Sequence, residues 1–179
     1  RAFKDDIRGM AGNDVIVAGM DDDIVTGGLG IDTIWGGANG TTAVTNGNDT
    51  YVWAKGDGND VINDWGQSLA EVDTLRLTDV DATDVALSFS NSAGADLLVT
   101  ILSTGEVIRI DERYQNVAYG YGIERIEFSD GVSWNLDEIL KRVRLNGTSL
   151  ANALTGTAYQ DNLYGLDGAD TLTGNDGDD

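Results

Sequence analysis

The sequence contains no cysteine, no proline and no histidine among its 179 residues. Without cysteine there is neither a disulfide scaffold nor thiol catalysis. Without histidine, a Ser-His-Asp or Cys-His arrangement cannot form, and zinc loses its usual ligands. There is also no Gly-x-Ser-x-Gly elbow and no Lys-containing phosphate loop. We therefore expect a chain that is not itself an enzyme.

Positive charge and long apolar runs are also scarce. The chain has 11 basic against 31 acidic residues, a formal net charge of −20. This charge repels nucleic acid and anionic lipid, which we exclude as partners. No apolar run reaches the roughly eighteen residues that a membrane helix needs, so we expect no membrane span.

Glycine and aspartate are abundant instead. The chain has 24 glycines, and most of its acidic residues are aspartate. Glutamate would be the usual choice for solubilising a helical surface, whereas aspartate and glycine favour turns. The composition therefore predicts loops that hold a cation.

A nine-residue repeat runs through the first part of the chain. From Gly9 the sequence reads GMAGNDVIV, AGMDDDIVT and GGLGIDTIW, with aspartate sixth and an aliphatic residue eighth in each copy. A fourth copy begins at Gly36, is interrupted, and resumes at Gly47; a fifth reads KGDGNDVIN. A flexible Gly/Asp linker would not carry an aliphatic residue at this fixed spacing.

The same pattern returns near the end of the chain. The copies GTSLANALT, GTAYQDNLY and GLDGADTLT follow one another from Gly147, and a broken GNDGDD ends at Asp179. In every copy the last residues alternate, as in a very short strand. The glycines allow positive φ, so that the turns gather carbonyl oxygens beside each aspartate. Six to eight carbonyl and carboxylate oxygens are what Ca²⁺ prefers.

These residues resemble the RTX nonapeptide G-G-x-G-x-D-x-U-x, a calcium-binding haemolysin-type repeat. The resemblance implies a right-handed parallel β-roll, in which two nonapeptides form one turn and several calcium ions lie between loops two repeats apart. The carboxylates and amide that it implies as paired ligands are Asp14 with Asp32, Asp23 with Asp49, Asp32 with Asp60, Asn152 with Asp170, and Asp161 with Asp179. The glycines that it implies as further ligands are Gly9, Gly12, Gly19, Gly28, Gly30, Gly37, Gly47, Gly58, Gly156, Gly165, Gly168 and Gly177.

Departures from the motif weaken two of these sites. Asp21, Leu150 and Tyr159 replace the fourth glycine of their copies, and Asn152 offers a neutral ligand. We therefore regard the sites at Asp23 and Asn152 as the least secure.

The composition changes between the two repeat blocks. We expect an all-β chain with a first β-roll block over 1–66, a β-rich segment over 67–146, and a second, truncated block over 147–179. Four alternating or apolar runs and a hairpin around Ser129-Asp130-Gly131 predict strands in the middle segment. Asn135 is the expected cap of a short helix that follows.

The middle segment also resembles a known domain. From Gly47 to Trp134 it is similar to the haemolysin-type calcium-binding related domain found between RTX blocks. We expect a β spacer that covers the apolar edges of the roll. Four acidic residues outside the repeats are expected to be solvated charges: Asp81, Asp84, Glu124 and Glu127.

Two functions remain open from sequence. The first is a structural module that folds on calcium after type I export, as part of a larger secreted or cell-surface bacterial protein, since the chain runs from Arg1 to Asp179 and stops within a repeat. The alternative is a calcium-stiffened module that binds a glycan or cell surface. The aromatic and basic residues available for that role are Trp35, Trp53, Trp65, Trp134, Arg109, Arg113, Tyr114, Tyr119 and Tyr121.

Overall fold

The computed structural model describes residues 3–37, 47–64, 70–90, 96–111, 122–156 and 161–177. The first eight strands are β1 (Asp6–Ala11), β2 (Val15–Val17), β3 (Ile24–Leu29), β4 (Thr33–Trp35), β5 (Thr50–Trp53), β6 (Val61–Asn63), β7 (Thr74–Leu77) and β8 (Val85–Phe89). The others are β9 (Leu97–Ile101), β10 (Val107–Ile110), β11 (Arg125–Glu127), β12 (Ser133–Asn135), β13 (Arg144–Asn146), β14 (Ala153–Thr155), β15 (Asn162–Tyr164) and β16 (Thr171–Thr173). A 3-10 helix covers Ala82–Asp84, and the helix α1 covers Leu136–Leu140.

The nonapeptides alternate between two parallel sheets. Strands β1, β3, β5 and β7 lie side by side in one sheet, and β2, β4 and β6 in the other. Ile16 of β2 is in register with Ile34 of β4, and Ile7 of β1 with Val25 of β3. Each step is two nonapeptides, so successive turns of the chain stack as a parallel β-roll. The predicted all-β fold is confirmed.

The interruption after Gly36 does not break this register. Tyr51 of β5 follows Val25, and Ile62 of β6 follows Ile34. The side chains at the eighth repeat position of both sheets therefore fill the space between the sheets. Val25, Tyr51, Ile34 and Ile62 are each at most 3% exposed. This apolar line is thin, since the three-residue strands β2, β4 and β6 each bury only one large apolar side chain, Ile16, Ile34 and Ile62.

The middle segment continues both sheets. Strand β7 pairs parallel with β5, and β11 pairs parallel with β7. In the other sheet, β10 pairs parallel with β6 and leads into the antiparallel meander β8–β9–β10. The segment covers the edges of the first repeat block by strand pairing, and this places its acidic residues in line with those of the repeats.

The predicted hairpin and helix are both present. Strands β11 and β12 are antiparallel, with Gly131 at φ +81° in the turn between them. The Asn135 side chain accepts a hydrogen bond from the Glu138 N–H (3.0 Å) and so caps α1. Within the described ranges, no helix combines the length and apolar character needed to cross a bilayer.

Strand β13 immediately precedes the second repeat block. This strand pairs parallel with β8 and with β15, while β14 and β16 form a separate parallel pair. Leu145 and Leu154 are buried here, but Leu172 is 47% exposed. The block therefore has little core of its own.

Candidate metal centre

Aspartates at the sixth repeat position form a hydrogen-bonded ladder beside the β2–β4–β6 sheet. The backbone N–H of Asp14 donates to Oδ1 of Asp32, and the N–H of Asp32 donates to Oδ1 of Asp60, both at 2.8 Å. The pairs Asp14–Asp32 and Asp32–Asp60 expected from the repeat are thus neighbours across successive turns.

A longer ladder lies beside the other sheet. The N–H of Asp5 donates to Oδ1 of Asp23, that of Asp23 to Asp49, and that of Asp49 to Asp73, at 2.7–2.8 Å. The last rung is Asp73 N–H to Oε2 of Glu124 (2.8 Å). Asp23, which sequence left insecure, is 1% exposed and occupies the ladder like its neighbours.

The sequence interpretation missed Asp73 and Glu124. Each one immediately precedes a strand whose second residue is a buried aliphatic, Leu75 or Ile126. The end of the nonapeptide is therefore preserved. Before Asp73 the glycine turn is lost, with Glu71 at the fourth position, whereas Gly122 keeps that position before Glu124 with a φ of +116°, and there glutamate replaces aspartate. An acid two residues before a buried aliphatic residue was the signal that could have found them.

The second oxygen of these carboxylates has a different role. Within the part of the chain that the structure describes, the Oδ2 atoms of Asp14, Asp23, Asp32 and Asp49 are buried and have no hydrogen-bond partner. A buried carboxylate oxygen without a partner is costly unless a cation neutralises it. The donor set consists of oxygens only, which suits calcium.

The first glycine of each repeat leaves room beside this oxygen. A Cβ on Gly9 would lie 2.7 Å from Oδ2 of Asp14 and 2.5 Å from the Gly27 carbonyl oxygen. The carboxylate and a carbonyl of the next turn therefore face the same small space. Gly27, Gly36, Gly147 and Gly174 also occupy this first position, and the sequence interpretation did not include them.

The other predicted glycines shape the turns. A positive φ, from +96° to +144°, is found at Gly12, Gly19, Gly28, Gly30, Gly47, Gly58, Gly168 and Gly177. At the fourth position the turns stack closely, since the Gly12 carbonyl oxygen lies where a Cβ on Gly30 would be. Gly37 is buried. Four non-glycine residues also have positive φ at second or fourth repeat positions: Met10, Asp21, Leu166 and Asn175.

The second block has a shorter version of the ladder. The N–H of Asn152 donates to Oδ1 of Asp170 (2.9 Å), which brings this predicted pair together. The Asn152 Oδ1 accepts from the Thr148 N–H. A Cβ on Gly165 would lie 2.6 Å from Oδ2 of Asp170. Gly156 lies beside Asp161, while Asp179 lies outside the described residues.

Burial makes several rungs weak acids. Burial raises the pKa of Asp49 to about 8, and the neighbouring carboxylates of Asp64 and Asp23 add to the rise. Burial likewise raises the pKa of Asp60 to about 7 and that of Glu124 to about 8. Protons and cations therefore compete for the same oxygens.

All four acids expected to be solvated charges have partners in the fold. Asp81 accepts a hydrogen bond from the Ser129 hydroxyl (2.7 Å), and Glu127 forms an ion pair with Arg76 (2.8 Å). Glu124 is a partly buried rung of the ladder, because β11 joins the repeat sheet. Asp84 forms an ion pair with Lys55 (2.9 Å) and accepts a hydrogen bond from the Ser103 hydroxyl (2.5 Å). Sequence spacing alone could not reveal these contacts.

The three described tryptophans of the predicted recognition surface offer little exposed area. Trp53 and Trp134 are 3% and 7% exposed, and Trp134 packs edge-on against Phe128 with ring centroids 4.5 Å apart. Trp35 is half-buried. The remaining residues of the predicted recognition surface that lie outside the described ranges are Trp65, Arg113, Tyr114, Tyr119 and Tyr121.

Two family signatures match this chain. The RTX calcium-binding nonapeptide repeat (4 copies) matches residues 2–34, 21–39 and 146–179. The haemolysin-type calcium binding protein related domain matches residues 96–138. The chain therefore carries RTX calcium-binding nonapeptide repeats on both sides of that related domain. Among curated proteins, no sequence matches it.

The ladder extends beyond these matches. Asp49, Asp60 and Asp73 lie outside all the matched ranges, but they continue the hydrogen bonds that begin inside the first repeat match. Glu124 lies within the related domain and ends the longer ladder. The related-domain match is also narrower than the resemblance expected from Gly47 to Trp134.

Proposed function

We propose that this chain is a calcium-dependent folding module, in which ions between stacked turns complete the β-roll. The observation that carries the proposal is that the two oxygens of three ladder carboxylates have different surroundings. In Asp23, Asp32 and Asp49, Oδ1 accepts a backbone N–H of the neighbouring turn, while Oδ2 is buried without a partner among the described residues. Calcium ions beside Oδ2 would supply the missing partner, with the repeat aspartates and turn carbonyls as ligands.

The charge of the chain supports a strong dependence on the ion. Asp23, Asp32, Asp49 and Asp60 are all at most 2% exposed, within a chain of net charge −20. Without a divalent cation, repulsion among these carboxylates and their desolvation oppose folding, and the thin apolar line between the sheets offsets only part of that cost. Ions that bind only the folded chain stabilise it by RT ln(1 + [L]/Kd) for each independent site.

Calcium-dependent folding of this kind takes place outside the cell. Extracellular calcium modules have a Kd on the order of 10⁻⁴–10⁻³ M. With affinities in that range, the chain stays unfolded in the calcium-poor cytosol and folds after export. This agrees with the type I secretion that RTX repeats imply, and with a structural role within a larger secreted protein whose catalytic or binding activity lies elsewhere.

The test compares the chain in chelator, in about millimolar Ca²⁺ and in the same concentration of Mg²⁺. Circular dichroism and small-angle X-ray scattering should show an expanded chain in chelator and a compact β-rich one in calcium. Magnesium should do much less, because it demands octahedral geometry and dehydrates reluctantly. A chain that is already compact in chelator contradicts the proposal.

The glycan-binding alternative is not favoured by any exposed tryptophan surface among the described residues, since Trp53 and Trp134 are buried. Binding to a glycan array in the presence of calcium that is lost in the Trp35→Ala variant would support this alternative.

A further inference from the structure

Three buried aspartates meet where the first repeat block joins the middle segment. Asp49, Asp64 and Asp73 are each at most 1% exposed, and one carboxylate oxygen of each lies within 4.8 Å of the other two. Asp49 and Asp73 precede β5 and β7 as ladder rungs. Asp64 follows β6 and is not at a sixth repeat position; it stands at the first position, which Ala18 and Gly36 occupy after β2 and β4.

The oxygens of this cluster converge on one space. Oδ1 of Asp49 is occupied by the Asp23 N–H, but its Oδ2 is buried and has no partner among the described residues. A Cβ on Gly36 would lie 2.6 Å from that Oδ2 and 3.2 Å from Oδ2 of Asp64. The unpartnered oxygen of Asp49 and Oδ2 of Asp64 therefore both lie beside Gly36, where the Tyr51 hydroxyl takes the place that a Cβ would occupy.

The surrounding groups hold the carboxylates in place. The Tyr51 hydroxyl, itself buried, donates to Oδ2 of Asp64 (2.7 Å). Asp73 is positioned at its Oδ1 by the Asp49 N–H (2.7 Å). Across the described ranges, no salt bridge involves Asp49 or Asp73. Among the described residues, therefore, no basic side chain forms a salt bridge that would neutralise Asp49 or Asp73.

We infer that Asp49, Asp64 and Asp73 form a separate divalent-cation site that takes calcium and lies outside the repeat pattern. This inference rests on the proposed function, because it assumes that calcium is also the ion that binds beside the ladder aspartates. The site differs from a ladder site in having three carboxylates, because Asp64 supplies a charged side chain where the two preceding turns on that side have Ala18 and Gly36. Calcium affinity rises with ligand charge and site rigidity, so this site fills before the ladder and joins β5 to β7.

The first experiment counts ions. Native mass spectrometry and calorimetric titration with CaCl₂ would compare the wild-type chain with Asp64→Asn and with Asp137→Asn, a control that removes the same charge from an exposed position on α1. Asp64→Asn should bind one calcium fewer and lose the tightest binding phase, whereas Asp137→Asn should match the wild type. An Asp64→Asn chain with the full number of ions and the same tight phase overturns the inference.

The same measurements separate this inference from the proposed function. If the wild type binds a single ion that Asp64→Asn loses, the junction site stands and the ladder sites fail. If the wild type binds several ions and Asp64→Asn keeps them all, the ladder stands and the junction site fails. A wild type that binds none overturns both.

A second experiment does not depend on the folding of a variant. Crystals of the wild-type chain soaked in a terbium salt should give an anomalous peak between the three carboxylates, at roughly the 2.3–2.6 Å that Ca²⁺ keeps from oxygen. Absence of a peak there overturns the inference, even if peaks appear along the ladder.

Discussion

The backbone N–H of Asp32 donates to Oδ1 of Asp60 across 2.8 Å, and Oδ1 of Asp32 accepts in the same way from Asp14. Asp32 is thus the middle rung of its ladder, 0% exposed, with Oδ2 left to face an ion. One oxygen of the carboxylate organises the turns and the other is available to a cation. The two roles can be separated by substitution.

Asp32→Asn should raise the calcium concentration needed for folding and lower the cooperativity of the transition. The amide Oδ1 can still accept the Asp14 N–H, so the ladder hydrogen bond survives. Oδ2 becomes an NH₂ group that carries no charge and cannot bind a cation. A calcium titration followed by circular dichroism measures both quantities.

The matched control for that substitution is Asp137→Asn, an exposed charge outside the repeats. It should leave the calcium midpoint nearly unchanged. Equal shifts for the two variants would mean that total acidity, and not the ladder, responds to calcium.

Ile34→Ala should destabilise the calcium-bound fold by about 2–5 kcal/mol, the usual cost of truncating a buried aliphatic side chain. Ile34 is 3% exposed and lies between Ile16 and Ile62 in the apolar line. More calcium would then be needed for folding, although no ligand is lost. Urea unfolding at fixed calcium gives the free energy of unfolding.

Ile31→Ala in the same repeat makes the matching control. Ile31 is 54% exposed, so its truncation should change the free energy of unfolding by no more than about 0.5 kcal/mol. A similar loss for both variants would place the stabilising contacts elsewhere than in the line between the sheets.

The calcium-free fold should become more stable as the pH is lowered from about 8 towards 5. Burial raises the pKa of Asp49 to about 8, of Asp60 to about 7 and of Glu124 to about 8, and it strongly raises the pKa of Asp73. In this window the folded chain binds more protons than the unfolded one, whose aspartates have a pKa near 3.9. The stability from these groups is therefore fully present below about pH 4 and is lost as the pH rises through 7–8.

Calcium binding should release protons in the same window, and the calcium midpoint should rise as the pH falls. Calorimetric titrations in buffers of different ionisation enthalpy measure the proton release. Equal heats in all buffers near pH 7 would show that these carboxylates are already ionised before the metal binds.

Met10→Gly should stabilise the chain by about 1 kcal/mol. Met10 has a φ of +83° and is 70% exposed, and the residue that pairs with it across the sheet is Gly28. A left-handed backbone costs a non-glycine residue about 1–2 kcal/mol, which exceeds the entropy that glycine adds to the unfolded state. Thermal unfolding at saturating calcium provides the comparison.

Met20→Gly is the control, because Met20 has no left-handed backbone to relieve. Met20 is also exposed but is not among the described residues with positive φ. Its replacement should cost about 0.5–1 kcal/mol, because only the entropy term remains. Stabilisation by both substitutions would argue against backbone strain at Met10.

Where the nonapeptide is intact, the sequence predicts which aspartates are neighbours in the fold. Asp14, Asp32 and Asp60 lie on one ladder because a period of nine with two repeats per turn brings every second copy to the same side. Asp49 was placed correctly across the interruption after Gly36, since sheet register depends on the strands and not on the length of the loop between them.

The prediction did not extend beyond copies that keep the complete motif. Asp73 continues the ladder without a glycine turn, and Glu124, although Gly122 precedes it at the fourth position, is a glutamate in place of aspartate, so the motif marked neither residue. Asp64 was missed for a different reason. Its neighbours Asp49 and Asp73 are distant in sequence, and only the stacking of β5 on β7 brings the three carboxylates together.

The sequence by itself determined the period, the aspartate and aliphatic positions within it, and hence the parallel roll with its calcium-binding repeats. Those features are local, since each nonapeptide contains its own turn, acid and strand. The tertiary structure alone decided how far the ladder extends and which acids share one space. Pairing between β7 and β11, and the burial of Asp64 beside Gly36, depend on distances between segments that no local pattern specifies.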